Sequence, residues 1–245
     1  MNRLTLIQRI IQVANFNTYL EIGTQSGKSL LPLKCKYKIA IDPEFCIPFE
    51  KKLKWLIKNP SNIRTKYYGE TSDDFFNKRK SILNKRSGID IILIDGLHMF
   101  EASLKDVLNS LEHLNNEGVI IMHDCYPPSI ASATPATSKE DASKKGIAGW
   151  TGEWCGDVWK TIVYLRRVFS DSLEVYVINT DYGLGIVKMK NKIKRPINID
   201  KKMFDGINKM QFEEIMQNPK TIIGLKDKDF TEVLINEFAA LNQGD

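Results

Sequence analysis

A doubly wound α/β domain, its sheet mostly parallel with an antiparallel hairpin near the C-terminal end, is the fold this sequence predicts. Three observations carry that expectation. Short apolar runs rich in β-branched residues alternate with segments of helical periodicity between residues 18 and 122. Those runs are apolar at nearly every position, as strands must be when helices cover both faces of a sheet. Further on, two apolar runs are separated only by Thr180-Asp181-Tyr182-Gly183, a connection too short for anything but an antiparallel pair.

Leu4, Ile7, Ile10, Ile11 and Ala14 recur at helical spacing, so an amphipathic helix is expected over 3–14. Strands are expected over 18–22, 37–41, 63–67, 89–94 and 119–122, with helices over 27–33, 48–58, 72–85 and 100–114 between them. Segment 127–149 is rich in Ser, Ala, Thr, Pro and Lys and has no sustained periodicity. It is too long for a routine connection, so it reads as a flexible lid or an insert. A helix over 157–169, hairpin strands over 173–179 and 184–189, and helices near 211–217 and 229–241 complete the series. Residues 1–245 are expected to form a single domain, with 190–245 as a helical extension.

The chain of 245 residues is 42% hydrophobic and 27% charged, ordinary values for a protein with a real core. Cys35, Cys46, Cys125 and Cys155 form no C-x-x-C pair, which argues for reduced thiols in a cytoplasmic protein and against a disulfide scaffold or zinc site. Gln8, Arg9 and Gln12 interrupt any secretory signal. No apolar run approaches the roughly 18–20 residues of a membrane span, and no membrane partner is expected. Much of the net charge of +5 sits in residues 188–195, without interleaved aromatics or a recognisable module. That argues against nucleic acid and leaves a solvated connector or a docking surface for an acidic partner or anionic substrate. A homo-oligomer is compatible with all of this.

The first strand runs into Glu21-Ile22-Gly23-Thr24-Gln25-Ser26-Gly27-Lys28-Ser29, where glycines allow a tight turn and a close approach of backbone to ligand. A helix opening there would add free N–H groups and a positive dipole end. A P-loop would need glycine at position 22, which is Ile, and a dinucleotide fingerprint would need glycine at Gln25. The loop instead resembles motif I of class I S-adenosylmethionine (AdoMet)-dependent methyltransferases, acidic-x-Gly-x-x-x-Gly. The second strand ends in Ile41-Asp42-Pro43-Glu44, and Gly69-Glu70-Thr71-Ser72 follows the third. The resemblance implies a Rossmann-like methyltransferase fold with Glu21, Gly23, Thr24, Gly27 and Ser29 near the amino-acid portion of the cofactor. It implies Asp42 on the ribose hydroxyls, Thr71 and Ser72 near adenine, and Asp95 at the neighbouring strand end.

The fourth strand ends Asp95-Gly96-Leu97-His98-Met99-Phe100-Glu101 and the fifth Met122-His123-Asp124-Cys125. Together these look like the bacterial small-molecule branch of the family, distantly similar to catechol and macrolide-sugar O-methyltransferases. The resemblance implies transfer to a small polar acceptor such as a sugar or secondary metabolite, and it covers roughly residues 17–126. A non-catalytic AdoMet-binding subunit of a glycan-assembly system is the first alternative, and a P-loop-like nucleotide enzyme, disfavoured by the loop spacing, the second. For Asp95, His98, His123 and Asp124 three readings stand open. Asp95 and Asp124 hold a divalent cation such as Mg²⁺, as in cation-dependent relatives. Or His98 or His123 is a general base, with Asp124 beside it. Or the acids cap helices and the histidines are spectators. Finally, Trp154, Asp157 and Trp159 can line an acceptor pocket, or Asp157 can cap a helix while the Trp residues pack beneath it.

Overall fold

The computed structural model describes residues 1–79, 83, 88–191 and 198–242. Seven strands form one sheet in the order β3-β2-β1-β4-β5-β7-β6, comprising β1 (Thr18–Ile22), β2 (Tyr37–Ile41), β3 (Thr65–Tyr68), β4 (Ile89–Ile94), β5 (Leu114–Met122), β6 (Leu173–Ile178) and β7 (Leu184–Met189). Strands β3 through β5 are parallel, and β7 enters antiparallel between β5 and β6. The expected fold class is the observed one. The strand order reverses between β1 and β4, so the carboxyl ends of those strands flank the crevice where this topology places ligands.

Alternate residues of each central strand feed two cores. Leu20, Ile22, Ile92, Ile94, Ile120 and Met122 face one side, and Tyr19, Ile91, Leu93, Val119 and Ile121 face the other. On the first side lie α3 (Ser72–Lys78), α4 (Phe100–Leu111) and α6 (Trp159–Val168). The second is covered by α1 (Arg3–Val13) and the last helix, α10 (Phe230–Leu241). Helix α2 (Phe49–Lys58) and the short α5 (Lys139–Lys144) contribute no large apolar side chain to either core. The extension also contains α7 (Lys201–Asn208), α8 (Phe212–Gln217) and α9 (Pro219–Ile222), which add Ile207, Phe212 and Ile215 to the first core. It then pairs Lys226 with the β6 edge on its way to the second side.

Several elements differ from expectation. No helix forms over 27–33; the segment is a series of turns with one i→i+4 bond, from Leu31 N–H to Gly27 O. Pro32 disfavours helical backbone at Leu31, and buried side chains take the carbonyls instead. Lys38 Nζ donates to Leu30 O and Leu33 O at 2.8 Å each and to Asn62 Oδ1, while Asn59 and Asn62 both donate to Leu31 O at 3.0 Å. The third strand begins at Thr65 rather than 63, after a 3-10 turn at Pro60–Arg64. The fifth begins at Leu114, with a register shift between Ile89 and Ile91. The latter part of the helix expected over 72–85 falls largely outside the described residues, as do 192–195 of the basic stretch and the junction at 192–197. No helix among the described residues is long and apolar enough to cross a membrane, and the four cysteines are free thiols.

Candidate functional site

Gly23 holds the turn out of β1 against the end of β4. Its φ is +84°, and a Cβ there would lie 1.9 Å from Asp95 O. Gln25 follows in left-handed backbone, and its N–H donates to Asp42 Oδ2 at 2.7 Å. The other carboxylate oxygen of Asp42 accepts from Glu44 N–H at 2.8 Å. Asp42 thus ties the β1 loop to the β2 loop at adjacent strand ends, with further lone pairs left on both oxygens. Thr24 is buried and its hydroxyl has no partner, an orphan polar group of the kind a ligand completes. Ser29 is buried nearby in sequence, and Gly27 closes a turn onto Thr24 O at 2.7 Å.

Glu21 lies within β1, one residue before its end. It is 2% exposed and accepts from the Tyr19 hydroxyl. Burial raises its pKa to about 8, so it holds its proton at neutral pH. Thr71 caps α3, accepting from Asp74 N–H at 3.2 Å, and Ser72 is the first residue of that helix.

At the ends of β4 and β5 the charged residues converge. His98 Nε2 lies 3.3 Å from Asp124 Oδ2 and 3.9 Å from Asp95 Oδ1. His123 Nδ1 lies 3.0 Å from Asp124 Oδ2 and 3.3 Å from Asp95 Oδ1, off the direction of a hydrogen bond. Asp124 holds left-handed backbone at φ 61°, an uncommon conformation for a buried non-glycine residue and a form of strain often found at functional sites.

Two more residues complete the cluster: Arg3, outside the sequence-derived set, and Asp181, in the hairpin turn that the sequence allows either to approach the pocket or only to turn. Arg3, at the start of α1, places Nη1 2.8 Å from His123 Nε2 and donates from it to Asp181 Oδ2 at 3.1 Å, and its Nη2 lies 3.3 Å from Asp95 Oδ2. Its Nε is buried without a partner. Asp181 and Tyr182, both left-handed, form the tight turn between β6 and β7 and bring the Asp181 carboxylate to Arg3. An arginine fifteen residues before the first strand carries no local signal of this role; only the packing of α1 against the sheet reveals it.

These contacts assign the histidines different capacities. Burial pulls the pKa of His123 down, but the carboxylates of Asp124, Asp181 and Asp95 outweigh it and raise it to about 11. Its Nδ1 keeps a hydrogen between two carboxylates and Nε2 faces Arg3, so no lone pair is left for a substrate. His98 is more open. Its Nδ1 donates to Trp154 O at 2.9 Å, since a carbonyl can only accept. Neutral His98 therefore directs the lone pair of Nε2 toward two carboxylates, where it can take up a proton or, together with them, hold a cation. Asp95, His98 and Asp124 offer ligand atoms that lie within 4.8 Å of one another. Burial raises the pKa of Asp95, but His123, Arg3 and His98 reverse this and keep it low.

The 152–157 stretch fixes His98 from outside. Gly156, at φ +62°, packs so closely that a Cβ would lie 1.8 Å from His98 O. The Trp154 ring lies 5.0 Å from the His98 ring at 31°, and its Nε1 donates to Thr134 O at 2.9 Å, joining the 127–149 segment to this wall. Trp159 and Asp157 do not join it. Trp159 is 1% exposed and packs against Phe212. Asp157 is buried, accepting from Phe100 N–H at 2.7 Å at the start of α4 and from Lys160 Nζ at 3.2 Å.

Residues 20–125 match a family model described as a methyltransferase domain. Solved structures share the fold at low identity. An S-adenosylhomocysteine-bound methyltransferase from Podospora anserina is 16% identical with a TM-score of 0.50, covering 78% of this chain and 80% of its own. The O-methyltransferase TomG from Streptomyces achromogenes, in complex with AdoMet and involved in tomaymycin synthesis, is 11% identical with a TM-score of 0.50, covering 76% and 79%. A search of curated proteins returns no match.

Proposed function

We propose that this chain, a distant class I AdoMet-dependent methyltransferase by its matched domain and its fold, methylates a hydroxyl of a small polar acceptor. The observation that carries the reading is the meeting of His98 Nε2, Asp95 and Asp124 at the strand ends beside the Gly23 loop. The O-methyltransferase among the structural neighbours points the same way.

AdoMet, when bound, would supply an electrophilic methyl group, with S-adenosylhomocysteine as the leaving group. The orphan Thr24 hydroxyl and the Asp42 carboxylate fit its binding across the β1 and β2 ends. Arg3, with an N–H to spare, suits a carboxylate. His98 takes the acceptor proton at Nε2, and the imidazolium that forms is stabilised by Asp124 and Asp95. The Trp154 ring offers an apolar face for a sugar or ring. The 127–149 segment is read as the cover that keeps water from the acceptor side. Anionic nucleophile and sulfonium lose charge together, so alignment and deprotonation carry most of the rate.

A second reading replaces the proton by a divalent cation held by Asp95, His98 and Asp124, and it is favoured by charge. Asp95, Asp124 and Asp181 face two positive groups, Arg3 and His123, leaving one negative charge in excess at a partly buried site. With an imidazole among the ligands, Mn²⁺ or a later divalent ion suits the set better than Mg²⁺. Transfer of labelled methyl from AdoMet to a panel of hydroxylated small molecules, with and without a chelator, tests both readings. No labelled product from any hydroxyl acceptor, with amine acceptors labelled instead, would overturn O-methylation.

A further inference from the structure

Helix α2 turns an apolar stripe outward. Phe49, Leu53 and Ile57, spaced four residues apart, are 74%, 50% and 77% exposed, whereas Lys51, Lys52, Trp55 and Leu56 are half-buried on the inner side. Single exposed apolar residues need no explanation, but three aligned along about 12 Å of one helix face form a surface that water disfavours. The exposed Lys54 and Lys58 border the stripe, and the following turn adds exposed Ile63 and Arg64.

The charge around it is lopsided. Residues 34–66 hold nine Lys or Arg against three acids, while the whole chain has a net charge of only +5. Apart from Lys38, which is buried, these basic residues give this edge of the sheet, the side of β2, β3 and α2, a positive charge of its own, separate from that of residues 188–195. From these features we infer that α2 docks on an anionic membrane surface. Its aromatic and aliphatic side chains would enter the headgroup boundary while the lysines meet lipid phosphate. Such a peripheral contact needs no spanning helix. The stripe lies on the outward face of a helix, which suits a fluid apolar layer. A second copy packed face to face across a twofold axis would oppose Lys54 to its own kind, with Glu50 meeting Lys58 on either side. Nucleic acid would leave the stripe in water. Lys51 Nζ donates to Ser26 O at 2.5 Å and Cys46 N–H to Gln25 O at 2.9 Å, so the docked helix would lie beside the β1 loop.

The test is co-flotation of the full chain with vesicles of phosphatidylcholine, alone or with about 30 mol% phosphatidylglycerol, at low and high salt. Wild type is expected to float with the anionic vesicles about tenfold more than with the neutral ones, and to be released by salt. Phe49→Ser/Ile57→Ser and Lys54→Glu/Lys58→Glu should each lose that binding by about tenfold with an unchanged melting temperature, because all four side chains are exposed. Equal flotation of wild type and variants, or no binding of wild type, would overturn the inference. So would a dimer in sedimentation that Phe49→Ser/Ile57→Ser dissociates, or binding to polyglutamate without binding to vesicles.

Discussion

His98 donates from Nδ1 to the main-chain carbonyl of Trp154 at 2.9 Å, and that bond decides what its other nitrogen can do. With the hydrogen fixed on Nδ1, neutral His98 has its only lone pair on Nε2, beside Asp124 and Asp95. His98→Gln removes the proposed base while preserving a polar side chain. Turnover should fall by about 10²- to 10⁴-fold, with affinity for S-adenosylhomocysteine within about twofold of wild type. Steady-state transfer rates and calorimetry check the pair. A variant that turns over normally would remove His98 from the chemistry.

Chelation separates the proton reading from the cation reading. If His98 acts with its carboxylate partners alone, prolonged dialysis against a chelator should leave turnover within about twofold of the untreated protein. A loss restored by Mn²⁺ more fully than by Mg²⁺ would instead place a cation among Asp95, His98 and Asp124.

Lys38 replaces the helix that the sequence leads one to expect after the first loop. Its ammonium serves two carbonyls and an amide oxygen, and burial lowers its pKa to about 8. Lys38→Met fills similar space but strands those acceptors. The expected destabilisation is about 1–3 kcal/mol, less than the bond count suggests because burying the ammonium is itself costly. Urea denaturation measures it, and an unchanged midpoint would contradict this role.

Glu21 makes stability depend on pH. Its folded pKa is about 8, raised by burial from an ordinary 4.5, so the folded state binds the proton more tightly than the unfolded chain. The associated stability is fully present below about 4.5 and is lost as pH rises through about 8. Between pH 5 and 9 the melting temperature of wild type should fall relative to that of Glu21→Gln. Parallel curves would show that Glu21 does not titrate in this window.

The frame of the fold was legible because buried parallel strands must be apolar throughout: Thr18–Ile22, Tyr37–Ile41 and Ile89–Ile94 are read directly from that pattern. The clustering of Asp95, His98, His123 and Asp124 was legible where chain order and strand ends coincide. Four things were hidden. The turns over 27–33 depend on Lys38, Asn59 and Asn62, which come from later elements. Asp157 and Trp159 sit in a dense polar and aromatic patch, yet whether such a patch faces a pocket or a core is decided by the packing of α4, α6 and Phe212. Arg3 reaches the site because α1 packs against α10 and the sheet, a contact between the two ends of the chain. Short α7 and α9 have too few turns to show a period, and their caps at Asp200 and Asn218 are isolated signals.

The central claim is that the carboxyl ends of β1 and β2 bind AdoMet, with Asp42 tying the two loops together. Calorimetric titration of wild type and Asp42→Ala with S-adenosylhomocysteine tests it most directly. The account predicts a dissociation constant on the order of micromolar for wild type, weakened about tenfold or more in Asp42→Ala. No binding by wild type, or equal binding by both proteins, would contradict it.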